Sequence, residues 1–158
     1  GAAADAATGS SAGPAVNPGW RAVTQNDHAL AGSDVLPEDM DGDDPRARGC
    51  VADAQVLDEV PIYLAGGATP FGTLRLRHSP HCGTDWASAY YPNPNLYTIT
   101  LTVYRPADSA QVRSDWSNNT PPGSYSDMLS TRRGCVWVSA VVKTPAGSSA
   151  PARTRCLR

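Results

Sequence analysis

Tyr97-Thr98-Ile99-Thr100-Leu101-Thr102-Val103-Tyr104 alternates without a break between apolar and hydroxyl-bearing side chains. A period of two marks a strand with one face in a core and the other toward water. It places Tyr97, Ile99, Leu101 and Val103 on the buried face and the threonines on the other. Thr73-Leu74-Arg75-Leu76-Arg77-His78 repeats the pattern, with Leu74 and Leu76 inward and Arg75 and Arg77 outward. Val136-Trp137-Val138-Ser139-Ala140-Val141-Val142 reads as a third strand, apolar on nearly both faces. Gly66-Gly67, Pro92-Asn93-Pro94-Asn95 and Pro121-Pro122-Gly123 mark turns. Val51 to Val60 fits a short helix or a strand equally. Short strands at this spacing predict a mainly β fold, a small antiparallel sandwich or barrel.

Four cysteines, Cys50, Cys82, Cys135 and Cys156, punctuate these strands with no CxxC spacing. An even count without close ligand pairs points to two disulfides rather than to zinc. Three pairings are open, and sequence order favours Cys50–Cys82 and Cys135–Cys156. Disulfides belong to oxidising compartments. Together with a start at Gly1-Ala2-Ala3-Ala4, which reads as an N-terminus exposed by signal-peptide removal, they make a secreted protein the expectation.

Composition changes near Cys50. Through Gly49 there are eight acids and three arginines; from Cys50 onward there are seven acids and ten bases. Residues 1–39 read as a long extended N-terminal arm, and 40–158 as the disulfide-stapled β domain. Gly1 to Pro14 is Ala, Gly and Ser around Asp5, too poor in apolar surface to offset its ordering entropy. The arm then gains Val16, Trp20, Val23, Leu30, Val35 and Leu36, scattered among prolines and glycines as in extended chain. With no local core to join, these six are the candidate partner-binding residues. Trp20 leads them, since isolated aromatics are common hot spots. Net charge is −2 and the pI about 5.8, so no basic field suggests nucleic acid. No apolar run is long enough to span a bilayer.

Two stretches carry a family resemblance. One is Met40-Asp41-Gly42-Asp43-Asp44-Pro45 with Gly49-Cys50-Val51-Ala52-Asp53-Ala54. The other is Leu74 to Ala87, with Ser79-Pro80-His81-Cys82-Gly83-Thr84-Asp85-Trp86 at its centre. Together with Tyr125-Ser126-Asp127-Met128 and the late Cys135 and Cys156, they resemble the YjfA-like family of small secreted actinobacterial proteins, which has no assigned activity. The chain departs from that family at Met40, often Cys there, and at His78, often Tyr. It also resembles the small adaptor subunit of the umbrella-shaped toxin particles secreted by Streptomyces. That resemblance implies an N-terminal segment lying in the cleft of a lectin-bearing, trypsin-like-fold subunit while the globular domain grips a stalked toxin polypeptide.

The remaining constellations have plain readings beside sharper ones. His78, His81 and Cys82 are the clustered soft ligands, but a bridged cysteine is a poor one, so no metal and no cofactor is expected. Ser79, His81 and Asp85 contain the residue types of a hydrolase triad, which is defined by geometry and not by composition. No nucleophile elbow accompanies them, so no catalytic residue is expected. Glu38, Asp39, Asp41, Asp43 and Asp44 offer oxygens for calcium, yet lack the EF-hand pattern; the plain reading is a solvated acidic hinge partly paired with Arg46 and Arg48. Trp86 and Trp137 read as core, and Tyr90, Tyr91 and Trp116 as surface aromatics. The expected function is a secreted non-enzymatic adaptor. A protease inhibitor using the arm, and a cell-wall or glycan-binding module, are the alternatives.

Overall fold

A computed structural model of the chain describes residues 39–91, 97–117 and 123–158. The six arm residues proposed as partner-binding, and the turns at 92–95 and 121–122, lie outside the described residues.

Among the described residues, ten strands form two antiparallel sheets of five. The first contains β1 (Gln55–Ile62), β2 (Gly72–Ser79), β3 (Thr84–Tyr90) and β6 (Gly123–Tyr125), in that order, with β7 (Leu129–Ser130) also paired to β3. The second runs β10 (Ala152–Arg153), β8 (Trp137–Thr144), β4 (Thr98–Arg105), β5 (Ala110–Ser117), with β9 (Gly147–Ser148) on β8. The two sheets stay separate, which makes the fold a sandwich and not a barrel. The undecided stretch after Cys50 is both elements in succession: a 3-10 turn over Cys50–Asp53, then β1.

The core is built by alternation. Tyr97, Ile99, Leu101 and Val103 are buried as their period requires, and face Leu74, Leu76, Ala87 and Ala89 of the first sheet across the interior. Each strand presents every second residue to that space. β8 obeys the same rule: Val138, Ala140 and Val142 are buried, while Trp137, Ser139 and Val141 are half-buried on the outer face. Its near-continuous apolar run therefore does not mean burial on both sides, and Trp137 is not a core residue. β3 is buried on both faces from Thr84 to Ala89. It lies between β2 on one side and β6 and β7 on the other. At its end two glycines allow close approach, because a side chain on Gly72 or Gly123 would collide with the carbonyl of Tyr90 or Ala89.

A sheet edge is a template for unwanted pairing, and bulges, prolines and charges blunt it. β1 has all three. A register shift falls between Val56 and Asp58, Pro61 removes a donor, and Asp58 receives the backbone N–H and guanidinium of Arg155 at 2.9–3.3 Å.

Both disulfides follow sequence order. Cys50–Cys82 ties the 3-10 turn to the β2–β3 turn, and Cys135–Cys156 ties the start of β8 to the C-terminal segment beside the Val136–Leu157 bridge. The C-terminus is further held where Arg158 donates to the carbonyls of Thr131 and Arg132, each at 3.1 Å. The closed loops span 32 and 21 residues, so each bridge is expected to contribute roughly 3–4 kcal/mol. Urea unfolding of C50A/C82A and of C135A/C156A should each show a loss of that order. Midpoints unchanged from wild type would contradict this assignment of the fold's stability.

Candidate functional site

The alternation that fixes β4 continues past Val103, and the next inward position, two residues on, is Arg105. Its side chain is fully buried. All five of its N–H donors are used. Nε and Nη2 reach Asp108 at 2.9 Å, Nη1 and Nη2 reach Asp41 at 3.1 and 2.9 Å, and Nη1 also reaches the Ser130 carbonyl at 2.8 Å. Asp41 accepts the Ser130 backbone N–H as well, and Arg133 approaches it at 3.3 Å. Arg133 also pairs with Asp39 at 2.8 Å. Burial alone would loosen the Arg105 proton, but hydrogen bonds to Asp108 and Asp41 outweigh it and hold the guanidinium charged. The same guanidinium keeps Asp108 below the usual carboxylate range. Burial and the charge of Asp41 push Asp39 up.

This cluster lies at the root of the arm, and it corrects the reading of the acidic run as a solvated hinge. Residues 39–53 form a strap bonded to the domain along its length. Gly42 N–H donates to the Met128 carbonyl at 2.8 Å, and Met128 N–H returns to Asp43 at 2.9 Å. Asp43 does pair with Arg48, at 2.9 Å. Asp44 closes the turn by accepting the Arg46 N–H at 2.8 Å and the Tyr125 hydroxyl at 3.2 Å. Arg46 lies over the Tyr125 ring, 5.1 Å from its centre. Of the carboxylates considered for calcium, Glu38 lies outside the described residues, and Asp39, Asp41, Asp43 and Asp44 are engaged by guanidinium groups, backbone amides and a phenol. Arg105, Asp108 and Arg133 were not among the candidate residues. The signal for Arg105 was present in its inward phase.

The residue types of the triad are brought near one another and into different contacts. Ser79 donates to Asp53 Oδ1 at 2.6 Å and accepts the Cys82 N–H at 3.1 Å. His81 contributes its backbone N–H to Asp53 Oδ2 at 2.8 Å. Asp53 therefore caps the β2–β3 turn, and the Ser79 bond first of all draws its carboxyl below the usual range. Asp85 instead faces His78 across β2 and β3, Oδ1 to Nδ1 at 2.6 Å. Asp85 is fully buried and its Oδ2 has no hydrogen-bond partner. Burial pushes its carboxyl up to about 7, against the opposing pull of His78. Among the described residues no group of three or more His, Cys, Asp or Glu is arranged to hold a metal ion.

The aromatic expectations divide. Trp86 is buried as expected. Tyr90 is 46% exposed, but Tyr91 and Trp116 are buried, which corrects their assignment to the surface. Tyr91 stacks on Phe71 and meets Tyr97 edge-on, with centroids 5.6 and 5.1 Å apart. Trp116 points into the sandwich from β5 and donates its indole N–H to the Tyr125 carbonyl at 2.8 Å. Proximity to turn residues misled here, because both side chains fall on the inward phase of their segments. On the outer face of the second sheet Trp137 instead packs beside Tyr104, 5.1 Å between centroids, under the Arg153 guanidinium at 3.8 Å.

Two variants test this site. R105M leaves Asp41 and Asp108 without their shared cation and should cost roughly 3–5 kcal/mol in urea unfolding; a loss under about 1 kcal/mol would remove the cluster from its structural role. Asp85 sets a pH dependence. Its folded pKa lies above the unfolded value, so its contribution is full below about 4 and is lost as pH rises through about 7. The stability of wild type relative to D85N should therefore fall by roughly 1 kcal/mol per pH unit between pH 5 and 7. Parallel profiles for the two proteins would refute the buried-acid reading.

Neither the curated proteins nor the solved structures yield a match to the sequence. The family described as protein of unknown function (DUF2690) matches residues 38–138. The match takes in the strap, Cys50–Cys82, β1 to β7 and the start of β8, more than half of the 158 residues, and the chain belongs to that family.

Proposed function

We propose that the protein is a secreted, non-enzymatic adaptor. Its arm, residues 1–39, inserts into one partner through Val16, Trp20, Val23, Leu30, Val35 and Leu36, and the stapled domain contacts another. The observation that carries this reading is the construction of the arm root. Asp39 and Asp41 are clamped by Arg133 and the fully bonded Arg105, so force or displacement applied to the arm is delivered directly to β4 and β7. A junction of that kind suits a connector. The two disulfides fit secretion. The separate engagement of Ser79 by Asp53 and of Asp85 by His78 supports a role without hydrolytic chemistry.

The resemblances set out above give this reading a concrete form. By its resemblance to the YjfA-like family and to the adaptor subunit of Streptomyces toxin particles, the chain would join a lectin-bearing, trypsin-like-fold subunit to a stalked toxin polypeptide. The partners are other secreted proteins, with no nucleic acid. Among the described residues no helix is long and apolar enough to cross a membrane.

The test is purification of the tagged full chain from the culture medium of the organism that makes it. Specific secreted chains should copurify, and deletion of residues 1–36 should release one of them while another stays bound. If the deletion leaves every association and its affinity unchanged, the arm is not the inserted element and the proposal fails.

A further inference from the structure

Among the described residues, the side chains on the outer face of the second sheet are half-buried or exposed and fall into ordered rows. One row runs across four strands: Arg113 on β5 opposite Thr102 on β4, Thr102 opposite Ser139 on β8, and Ser139 opposite Arg153 on β10. Three interstrand steps put its two cationic ends about 14 Å apart. The neighbouring row carries Tyr104 opposite Trp137, an aromatic pair half-open to water. Farther along the face stand Thr100 and Thr98, with exposed Lys143 opposite Thr98. Three cations thus share this face with one carboxylate, Asp115. That carboxylate is already engaged by the Thr100 hydroxyl at 2.7 Å and by Arg113 at 3.3 Å.

We infer that this face binds a carboxylate-bearing polysaccharide, pairing the carboxylates carried on its sugar rings with Arg113, Arg153 and Lys143 and laying those rings along the Arg153–Trp137–Tyr104 cluster. The argument has three parts. A sheet face that presents its side chains to solvent in rows suits an extended polymer, since small free ligands are held in concave sites. The local charge excess selects anions although the whole chain is acidic. The remaining groups on the face, Thr98, Thr100, Thr102 and Ser139, are hydroxyls able both to donate to and to accept from sugar hydroxyls. Arg153, exposed and stacked at 3.8 Å on the Trp137 ring, holds that ring in place and presents a guanidinium edge beside it. This inference does not rest on the arm or on the adaptor reading.

Native affinity electrophoresis of the full chain provides the test, in gels containing polygalacturonate as a carboxylate polymer, wall teichoic acid as a phosphate polymer, or neutral xylan. Retardation by polygalacturonate but not by xylan is expected, and teichoic acid tells whether a polymer bearing the other anion competes for the face. Added salt should weaken the retardation. W137A and R113E/R153E should each bind about tenfold more weakly or worse. Thermal unfolding of each variant controls for loss of structure. In the wild-type chain, where folding is not in question, the Trp137 indole N–H resonance should shift on titration while that of buried Trp116 stays. No retardation by polygalacturonate at low salt, or retardation by teichoic acid alone, would overturn the inference. So would equal retardation by xylan, equal binding of single-stranded DNA, unchanged binding in both folded variants, or a stationary Trp137 signal.

Discussion

A guanidinium buried with every donor used constrains the rest of this molecule. Arg105 is placed inward by the same alternation that builds the core, so the fold must bring it carboxylates or bear an unpaired charge. It brings Asp108 from the adjoining hairpin turn and Asp41 from far back in the chain. The second of these fixes the path of residues 39–53. Once Asp41 is seated, Asp39 falls beside Arg133, and residues 42–43 fall beside Met128. The strap then delivers Cys50 to Cys82, and β1 starts in register with β2. The polar cluster thus orders a segment that has little apolar surface of its own, and its contribution lies in specifying position as much as in adding stability.

The architecture was legible because strand alternation is a local property. Residues 97–104 and 73–78 announce their buried faces, and cysteine order matches disulfide pairing. What was not legible depended on neighbours distant in sequence. The apolar run of β8 cannot tell a two-sided core strand from one whose outer Trp137 is covered by Arg153. Tyr91 and Trp116 stand near turn residues, and only the packing of the two sheets decides that they point inward. The acidic run from Asp39 to Asp44 was visible as a cluster of charge. Its partners lie 64 and 92 positions away from Asp41, beyond the reach of any local pattern.

The same contrast separates two kinds of polar group. Ser79, His81 and Asp85 are close in sequence and look like chemistry, yet the folded chain uses Ser79 and the His81 amide to close a turn around Asp53. Asp85 is left to His78 inside the sandwich. Arg113, Thr102, Ser139 and Arg153 show no pattern in one dimension and form a straight row in three. A β-sandwich creates surface sites by aligning residues of different strands. Such sites are therefore read from register.

The anchoring of Arg158 to Thr131 and Arg132, beside the contact of Arg133 with Asp39, places both boundaries of the described domain at one pole. Asp39 and Arg158 are thus held by one three-residue segment, residues 131–133. A domain wired in this way can be grafted into a loop of another polypeptide, or repeated along one, with little disturbance to the host, because the host's two cut ends need hardly separate. Its opposite pole, with exposed Tyr63 and Tyr90, then faces outward in every copy.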